Sequence, residues 1–386
     1  MSMGPLRLLI LQATPFCNLN CTYCYLPDKT IKRRMSLDVI AKSVERIAAS
    51  GLIHKEFSVV WHAGEPLAAG IKFYQEADEV IRKKLPSGVS FRHCLQTNGT
   101  LINKNWCKLF KDLPMSVGVS VDGPAALNDK FRVDRRGKGS LAQIERGMTC
   151  LQEAGITFHT ISVVTKEAVK QAEAIFHYLY RWGPDCMGFN VEEIEGVHAS
   201  SSLQSVSEVE FGAFMSRMHE LSFEVGEPNL VREFRSAHAA IMGSVRKMPR
   251  MPPMENNPLS IINVDVDGNF SSFSPELLGM KHESYGDFIL GNFLHSGIEE
   301  LMNSPKFQRM SAEIQAGVTA CQASCEYFHF CGGGAPSNKL FENGSFHSAE
   351  TLHCRMTKKV VTDIVLGRME TMLAHDLPAE YAELMA

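Results

Sequence analysis

Three cysteines within eight residues constrain this chain more than any other feature. The stretch Cys17-Asn18-Leu19-Asn20-Cys21-Thr22-Tyr23-Cys24 spaces its thiols by three residues and then two, directly after the apolar run Leu6–Leu11. A buried strand ending in such a loop presents three sulfurs on one side of a short turn. Thiolates are the usual ligands of iron–sulfur clusters, and a cubane cluster wants four. With three supplied, one iron keeps a position for an exogenous ligand, so the loop reads as a site for chemistry. Zinc is the competing reading. A closed zinc site needs a fourth protein ligand and favours paired Cys-x2-Cys units, so His54 or His62 would have to reach in from another strand.

Composition narrows the setting. The chain has 386 residues with a formal charge of −4, so no basic balance argues for nucleic acid. No apolar run approaches the ~20 residues that span a bilayer, and Met1-Ser2-Met3-Gly4-Pro5 lacks the basic start and cleavage site of a signal peptide. A cytoplasmic protein is expected, with neither a nucleic-acid nor a membrane partner. Disulfides are disfavoured there, so clustered cysteines point to metal. Seven of the eleven cysteines fall in two clusters, one near each end; Cys94, Cys107, Cys150 and Cys186 are isolated and read as small apolar side chains.

Along the chain, short apolar runs alternate with helical patterns. Strands are expected over Leu6–Gln12, Phe57–Trp61, Phe91–Gln96, Met115–Val121, Phe158–Val164 and Met187–Val191. Helices are expected from Ser36, a capping residue, to about Ala49, then over Ile71–Lys84, Asn103–Lys111, Leu141–Ala154 and Lys166–Trp182. This alternation predicts βα units around a parallel sheet. Six units are too few to close an eight-fold barrel, so the fold class is α/β, an open partial (β/α)6 TIM-like barrel. Beyond residue 200 the pattern changes: helices over Val206–Val225 and Arg232–Arg246, a proline-rich linker from Met248 to Pro258, a hairpin over Ile261–Phe273, and a helical stretch over Leu294–Ala316. The second cysteine cluster follows, Cys321, Cys325, Cys331 and Cys354, the last at the start of a terminal helix to about Ala374. Three regions are expected: 1–230, a connecting region 231–305, and 306–386.

In such barrels chemistry gathers at the C-terminal ends of the strands. Here those ends carry the cysteine loop, His62-Ala63-Gly64-Glu65-Pro66, Gln96-Thr97-Asn98-Gly99, Ser120 with Asp122-Gly123, and Asn190 with Glu192-Glu193. A Cys-x3-Cys-x2-Cys loop after the first strand and a Gly-Glu-Pro turn after the second resemble the radical S-adenosylmethionine (radical SAM) superfamily. The resemblance implies a [4Fe–4S] cluster on Cys17, Cys21 and Cys24, with SAM on the open iron. Reductive cleavage of SAM would then give a radical that abstracts hydrogen from substrate. It further implies SAM-binding roles for Tyr23, Gly64, Glu65, Gln96, Asn98, Ser120 and Arg132. Ala63 stands where the family has glycine, a small departure if its φ is negative. The Glu65 carboxylate and the turn's backbone oxygens are expected to face an ammonium group.

The four C-terminal cysteines alone would suit zinc. In this context they resemble the SPASM extension of radical SAM enzymes, which typically holds two auxiliary [4Fe–4S] clusters. Phe273 and Ala335 stand where ligands of the first would fall, so one auxiliary cluster is expected. In sulfatase-maturing relatives an aspartate after that missing cysteine is a base; Ser274 stands here, and a hydroxyl is too weakly basic. Glu192, Glu193 and Glu276 are the candidate catalytic acids, and Asp265 is a weaker one. More narrowly, Leu11–Cys17, Trp61–Leu67, Gly188–Glu193 and Cys331–Lys339 resemble cyclophane-forming peptide maturases of the glycine-rich-repeat type. That resemblance implies a C–C bond between an aromatic ring and a β-carbon of a nearby residue in a ribosomally made precursor peptide, with a flavodoxin or ferredoxin as reducing partner. The alternatives are another radical SAM/SPASM modification, thioether formation or side-chain oxidation, and a non-enzymatic iron–sulfur or zinc sensor. With sixteen residues before Cys17, no N-terminal peptide-recognition domain is expected.

Overall fold

The computed structural model describes residues 3–27, 29–248 and 252–374. Pro27 closes the cysteine loop inside the described residues and Asp28 lies outside them, as do residues 249–251 of the proline-rich linker. Strand and helix alternate as the apolar spacing requires: β1 (Leu8–Leu11), α1 (Leu37–Ala49), β2 (Glu56–Trp61), α2 (Ile71–Lys84), β3 (Ser90–Thr97), α3 (Lys104–Asp112) and β4 (Ser116–Ser120). Then come α4 (Ala125–Phe131), α5 (Leu141–Glu153), β5 (Phe158–Val164), α6 (Ala172–Tyr180) and β6 (Cys186–Val191). Capping residues start the helices where they were expected. Ser36 accepts the Val39 N–H (3.2 Å) at α1, and Asn103 accepts those of Asn105 and Trp106 (3.0 and 3.2 Å) at α3.

β1 to β6 are parallel and in sequence order, with Leu9 opposite Val59 and Val59 opposite His93. Along β5, buried residues alternate with partly buried ones. The first set packs under the helices and the second faces the barrel lumen. The sheet stays open, with β6 as one edge. At the other side β7 (Ile261–Val264) runs parallel to β1, and β8 (Asn269–Ser272) returns antiparallel to it. The hairpin is thus continuous with the barrel sheet. The fold is the expected α/β partial barrel followed by a C-terminal domain.

Three details differ from expectation. The segment Lys166–Trp182 is a short 3-10 turn (Ala168–Lys170) followed by α6, broken at Gln171. The seven-residue α4 follows Pro124, in a loop that carried no periodic signal. In the C-terminal half, α7 (Glu208–Glu224) and α8 (Arg232–Val245) precede the hairpin, and one helix spans Pro305–Ser324. Cys321 therefore lies on the last turn of that helix rather than in a loop. Two short helices follow, Phe328–Cys331 and Pro336–Asn343, and a last helical run from Leu352 to Ala374 passes through a π-helical stretch, Arg355–Val360, directly after Cys354. Such bulges are frequent beside functional sites.

Candidate active site at the strand ends

The cysteine loop is clamped from several sides. Glu65 donates its backbone N–H to Phe16 O (2.7 Å), and Asn20 and Thr22 donate theirs to Val133 O and Phe131 O (2.7 and 3.0 Å). The Arg135 guanidinium donates to Cys17 O (2.6 and 3.1 Å), and His198 Nε2 lies 3.2 Å from Cys24 O. Asn98 Nδ2 points at Cys17 Sγ from 3.8 Å while holding Asn18 Oδ1 at 2.9 Å. Burial pushes the Cys17 thiol up to about 12, with Glu65 adding to it, and raises that of Cys21. Such thiols do not ionise into a low-dielectric loop unaided; a bound metal replaces the proton and stabilises the thiolate. Three thiols on one rigid loop, an N–H turned to a sulfur, and a buried Arg132 Nε with no partner in the protein all fit a three-cysteine cubane with an additional polar ligand.

The Gly-Glu-Pro turn docks onto this loop. A Cβ on Gly64 would lie 2.3 Å from Thr14 O, which only glycine avoids. One expectation about the turn is overturned. Ala63 has φ +69°, so it sits in the left-handed region where glycine is at ease and alanine is strained. The Glu65 carboxylate is engaged by the protein itself, beside Cys17 and Asn98. It is fully buried and accepts Leu67 N–H (2.9 Å), the Thr97 hydroxyl (2.7 Å) and Asn98 N–H (2.8 Å), tying the end of β2 to the end of β3. Burial raises its pKa while those three donors pull it down. Through these three bonds Glu65 fixes the turn against the end of β3.

Asp122, noted in sequence only as part of a strand-end turn, proves to be a hub. Tyr23 Oη donates to its Oδ2 (2.5 Å), while Arg132 Nη2 (3.0 Å) and Val163 N–H (2.9 Å) donate to its Oδ1. Arg132 is buried, with its guanidinium 5.4 Å over the Tyr23 ring. Burial works against its charge, but Asp122 and the Tyr23 side hold it up. Arg132 and Tyr23 are therefore held by Asp122, beside the loop, rather than projecting free. An Asp-Gly-Pro strand end was the one sequence signal for this hub. In the lumen, Gln96 Nε2 donates to Ser120 Oγ (2.8 Å). Gly118 makes room for the pair: a Cβ there would lie 2.1 Å from Gln96 Oε1 and 2.4 Å from His159 Nε2.

The candidate acids separate. Glu192 turns away to accept Ser202 N–H (2.8 Å) and the Ser202 hydroxyl, so it caps the following 3-10 turn and is not a free base. Glu193 accepts from Asn338 Nδ2 (2.5 Å), lies 3.5 Å from His353 Nε2, and so bridges the β6 end to the C-terminal domain. Glu276 is half-buried, and burial, then Glu193, push its carboxyl up to about 8. Glu195, which sequence reading passed over, joins this group: burial and then Glu193 and Glu276 raise it well above the carboxylate range, and its Oε2 is buried without a partner. Tyr25, whose Oη lies 3.3 Å from His62 Nε2, is raised first by burial and then by Glu276 and Glu195. Asp265 stays within the hairpin turn, accepting from Asp267 N–H and Asn269 N–H (both 2.9 Å).

The four C-terminal cysteines meet. Cys321, Cys325, Cys331 and Cys354 line one cavity of about 70 Å³ with Phe328 and Gly333. Gly334 N–H points at Cys331 Sγ and Thr351 N–H at Cys354 Sγ, both from 3.2 Å. Among the described residues no three His, Cys, Asp or Glu side chains converge on a single-ion site. Four thiols around a cavity suit a polynuclear cluster better than one zinc ion, whose sulfurs would sit ~2.3 Å from a common point. Phe273 is fully buried and stacks on Phe307 with centroids 6.2 Å apart. Of the remaining cysteines, Cys107 and Cys186 are buried, and Cys94 and Cys150 partly so.

Comparison with known proteins agrees with this geometry. Residues 11–179 match the model of the radical SAM superfamily. The uncharacterized protein sll1766 of Synechocystis sp. is 41% identical over 379 residues, 96% of this chain and 94% of that one. A serine-type anaerobic sulfatase-maturating enzyme of Klebsiella aerogenes is 36% identical over 213 residues, covering 55% of this chain and 52% of that protein. In fold, the chain is similar to anSMEcpe with bound AdoMet (TM-score 0.76, 22% identity, 97% of this chain and 100% of that one). It is also similar to Streptococcus suis SuiB bound to the precursor peptide SuiA (TM-score 0.64, 12% identity, 91% and 76%). The chain belongs to the radical SAM superfamily. It is a radical SAM enzyme related to the anaerobic sulfatase-maturating enzymes, with a C-terminal domain that follows the fold of anSMEcpe. Among the described residues no helix is long and apolar enough to cross a membrane.

Proposed function

We propose that the chain modifies a peptide substrate by hydrogen abstraction from a side-chain carbon. The observation that carries this is a cavity of about 300 Å³ that joins the two halves of the molecule. Its lining runs from Phe189, Asn190 and Glu193 at the end of β6 to Cys331 and His353 of the C-terminal domain. That volume lies at the lower end of ligand-sized sites and suits one or two residues of a peptide. Solved relatives include complexes with peptides, anSMEcpe with Cp18Cys and SuiB with SuiA, which supports a peptide as substrate here.

Two products are supported by different observations. Identity of 36% with a serine-type sulfatase-maturating enzyme over 213 residues supports oxidation of one side chain. A C–C crosslink between an aromatic ring and a β-carbon is supported by the glycine-rich-repeat resemblance and by Ser274, which is buried and offers no carboxylate where those enzymes have a base. Either product removes two hydrogens, one as an atom and one as a proton with an electron. The cluster with SAM supplies the hydrogen-abstracting chemistry when bound, held by Cys17, Cys21 and Cys24 near Asn98, Arg132 and the turn carbonyls. Glu193, Glu195 and Glu276 are the proton acceptors at hand, because burial and mutual repulsion raise the last two toward useful basicity. Cys321, Cys325, Cys331 and Cys354 would hold one auxiliary cluster, and Phe273, packed on Phe307, fills the place of a ligand to a second. A flavodoxin or ferredoxin is the proposed electron donor.

The test is co-expression with candidate precursor peptides, followed by tandem mass spectrometry and NMR of the product. A loss of two hydrogens with a new ring-to-β-carbon bond establishes the crosslink. The same loss confined to one side chain establishes oxidation. An unmodified peptide alongside active SAM cleavage overturns peptide modification.

A further inference from the structure

Lys339 ends the Cys331–Lys339 stretch, and its side chain has no part in the chemistry described so far. It lies in the first turn of the helix Pro336–Asn343 and is 2% exposed. Its Nζ donates to Gly317 O (2.8 Å), which uses one of its three donors. Among the described residues no carboxylate pairs with it. A buried ammonium is costly unless an opposite charge answers it. The slot it fills is kept open by glycine: a Cβ on Gly317 would lie 2.2 Å from Phe346 O and 3.2 Å from Lys339 Nζ. Gly317 is one turn before Cys321 on the helix Pro305–Ser324. Lys339 Cε lies 3.8 Å from where a Cβ of Gly334 would be, and Gly334 N–H points at Cys331 Sγ. The side chain is thus packed against the two segments that carry Cys321 and Cys331. Glu350, the carboxylate in the wall of that cysteine cavity, is already held by Lys359 and Arg355 (3.2 Å).

We infer that the buried Lys339 ammonium is the counter-charge of the cluster site formed by Cys321, Cys325, Cys331 and Cys354, and that it raises the reduction potential there. This assignment rests on the auxiliary-cluster reading proposed above. Four thiolates give a cubane cluster a net negative charge, and adding one electron makes it more negative. A fixed positive charge in low-dielectric surroundings favours the reduced form, so Lys339 makes the site a better electron acceptor. Lys339 is a positioning residue in this sense, acting on the cluster's redox equilibrium without supplying a ligand.

The experiment is an EPR-monitored redox titration of the reconstituted full-length enzyme with dithionite as reductant. The first cluster is recognised by the change in its signal on adding SAM, and iron is counted in every sample. Lys339→Met, neutral and of similar length, is expected to lower the potential of the other cluster by at least about 59 mV, a tenfold change in a one-electron equilibrium. The SAM-responsive cluster should not move. A merely structural hydrogen bond to Gly317 O would leave both potentials where they are, so an unchanged potential overturns the inference. Where Lys339→Met does not retain the auxiliary irons, Lys339→Arg decides. Retention there supports the counter-charge, and loss there too leaves Lys339 a structural residue and overturns it. About four irons in the wild type, in place of about eight, would overturn the auxiliary-cluster reading itself.

Discussion

At the scale of single residues, the two neighbours Ala63 and Gly64 make a controlled comparison. Both have positive φ, +69° and +63°. Alanine in the left-handed region costs ~1–2 kcal/mol, and replacing it with glycine returns ~0.5–1 kcal/mol of that as unfolded-state entropy. Ala63→Gly is therefore expected to leave stability unchanged or raise it by up to about 1 kcal/mol. Gly64→Ala meets Thr14 O at 2.3 Å, a backbone atom that cannot swing aside, so the turn must move. A loss of ~2 kcal/mol or more is expected, with weaker cluster retention. Chemical denaturation of both holoenzyme variants checks the pair, and equal stabilities would refute the assigned strain. The sequence marked this turn as functional, yet it could not show the sign of φ. That sign comes from how tightly the turn is pressed onto Thr14–Phe16.

At the scale of elements, the loop after β6 and the loop after β8 place carboxylates against each other. Glu276 is pushed from an ordinary 4.5 to about 8, first by burial and then by Glu193. A carboxyl raised in the fold favours the folded state fully below its unfolded pKa, and that stability is lost as pH rises through the folded one. The window is therefore pH 4.5 to about 8. Glu276→Gln removes this loss: little difference is expected at pH 4.5, and the variant should be more stable by ~2–4 kcal/mol at pH 8.5. Thermal melts across that range decide it, and a parallel offset at every pH would show that Glu276 is not the titrating group. In sequence, Glu192 and Glu193 were indistinguishable. Alternation along β6 and the turn after it send the first to Ser202 and the second to Asn338.

At the scale of the whole molecule, the number of clusters is the property to measure. One site on the first loop and one in the C-terminal cavity predict about eight irons per chain after anaerobic reconstitution. Cys354→Ala should hold about four, keep SAM cleavage and lose peptide product. About twelve irons in the wild type would contradict a single auxiliary site. Wild-type product yield from Cys354→Ala would remove the auxiliary cluster from the reaction.

The sequence by itself determined the period of the elements, the three-thiol loop and the set of strand-end motifs. These are local: alternation, capping residues and ligand spacing are written within a dozen residues. It also supplied the four distal cysteines, though not that they ring one cavity. Tertiary structure decided the rest. It tied the Glu65 carboxylate between the ends of β2 and β3, made Asp122 the hub for Tyr23 and Arg132, and added β7 to the open side of β1. It brought Glu195 beside Glu276, and set Cys331 in the wall of a cavity shared with the end of β6. Each of those outcomes depends on which surfaces far apart in the chain are pressed together and which donors survive that contact. No local pattern encodes that choice, because it is fixed by packing and desolvation across the whole fold.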